Sequence, residues 1–157
     1  MRIREPENLP EDQSMIIIRV YCMKFEFWNE VEDAFLLNQI FSDKIKIGYI
    51  DLFGVDVIRD GPTVRLHFDL ADSLPDRPPP QWGKPNIDYN RCRMGADCFG
   101  VSKFSMQGIS THMRMRLAIS QNDKVYKLSL SSKDANIEIQ CLNLTLISPS
   151  VYMDGDL

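Results

Sequence analysis

From residue 52 onward the chain alternates between apolar and polar positions with a period of two, the pattern of strands that pack one face on a core. The clearest run is Val64, Leu66, Phe68 and Leu70, separated by Arg65, His67 and Asp69. An Asp60-Gly61 pair just before it suits a tight hairpin turn, since glycine tolerates positive φ. The strand before that turn, residues 52–59, sets Phe53, Val55 and Val57 on one face and Gly54, Asp56 and Ile58 on the other. Further on, Met113, Met115, Leu117 and Ile119 alternate with His112, Arg114, Arg116 and Ala118. Asn122-Asp123 turns the chain, and Tyr126, Leu128 and Leu130 form the return. Ile137, Ile139 and Cys141 follow, and the phase then slips to Leu142, Leu144 and Leu146, as a β-bulge would make it. Weaker strand signals cover residues 88–93, ended by a break at Gly95, and residues 99–106.

Only residues 28–41 carry a helical pattern, with Asn29 as cap and Glu32 completing a capping box. Trp28 at its start is expected to pack in the core. Between the strand ending at Leu70 and the signal at 88–93, residues 71–87 hold Pro75, Pro78, Pro79, Pro80 and Pro85, which remove backbone donors and favour an extended path. That segment reads as an ordered surface belt ending on Trp82, which is either its structural pin or a contact for a partner. Residues 1–14 are polar and proline-interrupted, a loose tail, and residues 15–157 are expected to form a single β-rich domain. The fold class is mainly β (α+β): an antiparallel meander, either sandwich-like or one strongly curved sheet, with one N-terminal helix.

Charge narrows the partners. The net charge of −4 is uneven: residues 1–43 carry −5, residues 44–90 carry −1 and residues 91–157 carry +2. An acidic first third is a poor nucleic-acid surface and a good one for steering a cationic protein. Arg114 and Arg116, with His112 and Lys127, make a basic strip that reads as the wet side of a sheet. The apolar run at residues 15–18 is too short to span a bilayer, and with no export signal the protein is expected in the cytoplasm. Cys22, Cys92, Cys98 and Cys141 have no paired spacing and are expected as reduced thiols, Cys22 and Cys141 buried, Cys92 and Cys98 flanking a turn. No metal site or cofactor is expected from these and two histidines. No phosphate loop or nucleophile motif occurs, and each aspartate has a turn or solvent-face role, so no enzyme is expected.

The order of parts resembles the bacterial immunity protein 50 family, found beside polymorphic toxin genes. The likeness runs from the Trp28 segment through Gly61-Pro62-Thr63-Val64-Arg65-Leu66-His67-Phe68-Asp69-Leu70 and the proline-rich approach to Trp82. It continues through Phe99-Gly100-Val101-Ser102, Met106-Gln107-Gly108 and Ile139-Gln140-Cys141. The resemblance implies a protein that neutralises a cognate toxin, such as a basic nuclease, by stoichiometric occlusion. Expected contacts are Glu30, Glu32 and Asp33 on the helix, with Asp72, Asp76 and Trp82 on the loop, because interfaces favour an aromatic anchor among charges. The alternatives are a β-rich module binding protein or carbohydrate through the Trp82 loop with no toxin link, and a small enzyme built on converging carboxylates.

Overall fold

A computed structural model of the chain describes residues 22–155. The tail at 1–14 and the apolar run that follows it lie outside them. Nine strands among the described residues form one antiparallel sheet: β1 (Cys22–Lys24), β2 (Tyr49–Ile58), β3 (Thr63–Leu70), β4 (Arg91–Phe99), β5 (Lys103–Gln107), β6 (Arg114–Asn122), β7 (Val125–Ser131), β8 (Asn136–Cys141) and β9 (Asn143–Tyr152). Their order is β5-β8-β7-β6-β2-β3-β4-β9, with β1 also beside β6. The sheet is open in its hydrogen bonding, ending at β5 and β9. It curves strongly enough that β4 touches β8 and β7 touches β9. One buried cluster therefore joins Leu66, Phe68 and Met94 from one half to Met115, Leu128 and Ile137 from the other.

The curvature rests on a bent ribbon. β4 pairs with β9 from Arg91↔Tyr152 to Phe99↔Asn143, and β5 continues with β8 from Lys103↔Gln140 to Gln107↔Asn136. At the bend, Leu142 N donates to Phe99 O (3.0 Å) and Ser102 N to Gln140 O (2.9 Å). β4 is the inner member beside β3, and β8 is the inner member beside β7. The phase slip expected as a bulge is instead this bend between two strands: Ile137, Ile139 and Cys141 face in before it, and Leu144 and Leu146 after it. Leu142 itself turns out, 56% exposed, over Gly100, whose φ of +64° no branched side chain adopts cheaply.

Four local expectations are corrected. Residues 28–41 do not form one capped helix. A 3-10 turn, Trp28–Glu30, leads through Asp33 at φ 66° to the six-residue α1 (Phe35–Ile40). Glu30, not Glu32, reaches back, accepting from the backbone N of Glu26 (3.0 Å) and Phe27 (3.4 Å). Asn29 instead accepts from Ile45 N (2.8 Å) and donates to Asn38 (2.6 Å). The cause is tertiary: Glu32 bridges to Thr145 and accepts from Leu146 N at 3.0 Å, so this stretch is held along the edge of β9. Gly95 does not break a strand but lies within β4, where a Cβ would stand 2.6 Å from Ile147 Cδ1 and 2.9 Å from Leu66 O. Glycine here allows close approach. The thiols are also rearranged, with Cys92, Cys98 and Cys141 buried and Cys22 exposed. The turn after β6 falls at Asp123, φ 60°, since Asn122 still pairs with Val125.

The proline segment is tied down along its length. Arg77 N donates to Ile40 O (2.9 Å) and its Nη2 to Phe41 O (3.0 Å). Ser42 N donates to Asp76 (2.9 Å), its hydroxyl donates to the other carboxylate oxygen, and the Tyr89 hydroxyl donates to Pro75 O at 2.7 Å. Trp28 is fully buried and stacks on Phe68, with ring centroids 5.2 Å apart. Trp82 is half-buried against the same core.

Candidate partner-binding surface

The inward residues of β2, β3 and β4 are apolar, so alternation sends their polar partners to one outer face. Cross-strand register then sets charges in rows. Arg114, Asp51, Asp69 and Arg93 occupy one row, and Asp56, Arg65 and Asp97 another. In the first row Arg93 Nε donates to Asp69 at 3.0 Å, and Arg91 reaches Asp51 at 3.3 Å. In the second, Arg65 Nε and Nη2 grip Asp97 at 2.5 and 3.0 Å, which raises the arginine pKa further. His67 Nε2 lies 2.9 Å from Asp56.

A bulge in β2 changes the character of this face. The register with β3 shifts between Leu52 and Gly54, and Phe53 is left 51% exposed on the outside. Phe53 was expected on one face with Val55 and Val57; the extra residue turns it to the other, while Val55 and Val57 keep the phase of Leu66 and Val64. The Arg93 guanidinium then lies between two rings, 3.7 Å from Phe53 and 4.4 Å from Tyr152. Its Nη2 donates to the Tyr152 hydroxyl (3.0 Å), which donates to Asp69 (2.5 Å). Burial, then the bond to Asp69, push the Tyr152 phenol up to about 12, so it stays a donor. Arg114 lies over the half-exposed Tyr49 ring at 5.3 Å.

Beside this platform opens a cavity of about 270 Å³ lined by Asp51, Asp69, Arg91, Arg114, Tyr152 and Asp154, among others. A carboxylate enzyme would need such convergence. Here each of the three carboxylates has an arginine within 4 Å, and Asp69 also binds Tyr152. The buried thiols lie on the inner face. Burial raises Cys92 to about 12, and the hydrogen bond to Cys141 with burial pushes Cys98 up as well. No group of three or more His, Cys, Asp or Glu among the described residues is placed to hold a metal. No helix among them is long and apolar enough to cross a membrane. The arrangement suits recognition: fixed charges, two exposed rings and an arginine held in place.

The six residues expected from sequence fall on two other parts of the surface. Glu30, Glu32 and Asp33 are exposed on the segment that follows Trp28, with the Glu30 side chain engaged in capping. Asp72 and Asp76 line one cavity of about 300 Å³ beside residues 41–45. Hydrogen bonds from the Ser42 hydroxyl and backbone hold Asp76 below the usual carboxylate range. Asp72 alone of the six touches the platform, through Arg114 Nη2 at 3.2 and 3.3 Å. Trp82 keeps part of its ring exposed. The residues missed were Tyr49, Phe53, Asp69, Arg93 and Tyr152. Their one sequence signal was Gly54 behind an aromatic, which marks a bulge only once the register of β3 is known.

The sequence model of the family described as Immunity protein 50 matches residues 33–152, from Asp33 beside α1 to Tyr152 at the end of β9. No curated protein and no solved structure matches the chain.

Proposed function

Because the chain belongs to the immunity protein 50 family, we propose that it binds a cognate bacterial toxin and neutralises it by stoichiometric occlusion, with no catalysis of its own. The observation that carries this reading is the aromatic–arginine platform on β2, β3, β4 and β9. Phe53, Arg93 and Tyr152 are held by one another and by Asp69, so little side-chain freedom remains to be lost on binding. Arginine and aromatic residues in such a setting are the usual hot spots of interfaces. Glu30, Glu32 and Asp33, with Asp72 and Asp76, supply the negative potential that draws in a cationic toxin such as a basic nuclease, and Trp82 adds an apolar contact. The protein acts in the cytoplasm of the toxin-producing cell.

The test is co-expression with the product of the neighbouring toxin gene. Growth is rescued by the native chain, and Arg93→Ala weakens the purified complex by about thirtyfold or more, the scale of a hot-spot loss. Reversing Glu30 and Asp33 to Lys slows association at low salt and leaves dissociation nearly unchanged. No rescue, with no complex in a pull-down, sinks the reading.

A further inference from the structure

On the other half of the sheet the charges follow a different rule. Every arginine of the platform face has an aspartate: Arg65 with Asp97, Arg91 with Asp51, Arg93 with Asp69, Arg114 with Asp72. Beside β6, Lys24, Arg116 and Lys127 line one cavity of about 230 Å³, and no carboxylate among the described residues pairs with any of them. Glu138, across from Ser129 on the neighbouring strand, is the one carboxylate on this face of β6, β7 and β8 outside the Arg114–Asp72 pair. Gathering like charges costs stability. An external anion offsets that cost.

The cavity exists because two strands share one side of β6 without meeting. β1 ends where Lys24 pairs with Ser120, and β2 starts where Tyr49 pairs with Arg116. Between them Phe25 N donates to Ile119 O (2.9 Å) and Leu117 N to Gly48 O (2.8 Å), and the two segments then pair with each other, Ile47 N donating to Glu26 O at 2.8 Å. A notch is left over the small floor of Ala118, Ser120 and Ser129, with Ile47 beside it, while the Phe25 ring packs on Tyr126. Lys24, Ser120 and Lys127 form a single row, which sets the two lysines about 10 Å apart, one strand spacing either side of the serine. Two lysine stems are long enough to reach one group held above the Ser120 hydroxyl.

We propose that this notch binds a phosphoryl group, taking a small phosphomonoester whose organic part lies on Ile47. A phosphoryl group carries −1.5 to −2 charges and three strong acceptor oxygens, about what three cations and two serine hydroxyls satisfy together. A carboxylate brings one charge and two oxygens, and leaves cations unmatched. Among the described residues the face has no exposed aromatic row on which successive nucleic-acid bases would stack.

The experiment follows backbone amides of the full chain by NMR while inorganic phosphate, adenosine 5′-monophosphate, acetate or a short DNA duplex is added. Phosphate and the nucleotide both give saturable shifts at Ser120 and Ser129, the nucleotide binding more tightly. The Lys24→Gln/Lys127→Gln double variant weakens both by roughly tenfold, and Lys133→Gln, in the turn before β8, leaves them unchanged. The peak dispersion of the double variant reports that it is folded. Absence of saturation with either probe, an equal response to acetate, or undiminished affinity in the double variant overturns the site. A response to DNA alone overturns it too, in favour of a nucleic-acid surface. Equal affinity for phosphate and nucleotide removes the role given to Ile47.

Discussion

Asp76 is an exposed carboxylate that nevertheless holds two segments together. Its oxygens accept from the Ser42 backbone and hydroxyl, and these bonds lower its pKa from the ordinary 3.8. A depressed carboxylate contributes stability that is fully present above its unfolded pKa and is lost as pH falls through the folded value. Ser42→Ala therefore destabilises the protein at pH 7, by an amount on the order of 0.5 kcal/mol once solvent screening is allowed for. The gap in urea midpoints between the two proteins closes as pH falls through the folded value, because the carboxyl is then protonated in both. A gap that persists in acid would mean that Ser42 acts by packing alone.

Elements differ in how far sequence determines them. In β3, β6 and β7 every second residue is apolar and one face is buried, so a register slip would turn the whole apolar set outward; these strands stand where the alternation places them. Tertiary contacts decided the rest. The helical period at residues 28–41 lost to the pairing of Glu32 with β9, a contact more than a hundred residues away along the chain. Phe53 lost its expected face to a bulge whose only local trace is Gly54. Gly95 looked like punctuation and is instead the point where Ile147 crosses β4. Gly95→Ala accordingly destabilises by about 1–3 kcal/mol, the usual cost of overpacking, since both the backbone and Ile147 would have to yield. A thermal midpoint equal to that of the native protein would show that β9 has more room than the geometry allows. The platform was hidden for the same reason: its members come from separate strands that only register brings together.

For the molecule as a whole, the telling fact is that both halves of the curved sheet share one core. Trp28 lies at its centre, stacked on Phe68, while Trp82 sits half-exposed at the rim. Tryptophan fluorescence and far-ultraviolet circular dichroism should then report one cooperative unfolding transition with the same midpoint. Trp28→Ala should lower stability by roughly 3–5 kcal/mol on both signals at once. Separate midpoints would mean that the halves unfold independently. The two halves of the outer face differ in character, with paired charges on one and cations unpaired among the described residues on the other, so they can be altered separately.

The bent ribbon also orders events in time. β4 leaves the ribosome well before β9, with two other strands and a hairpin made in between, and until β9 arrives its outer edge has no partner. Pairings this distant along the chain slow folding and leave apolar edges open to wrong partners in the meantime. The same strand brings Tyr152, the second ring over Arg93. A nascent chain arrested before that residue has neither a complete sheet nor a finished platform, so the wait between synthesis and competence is set by the last strand to dock.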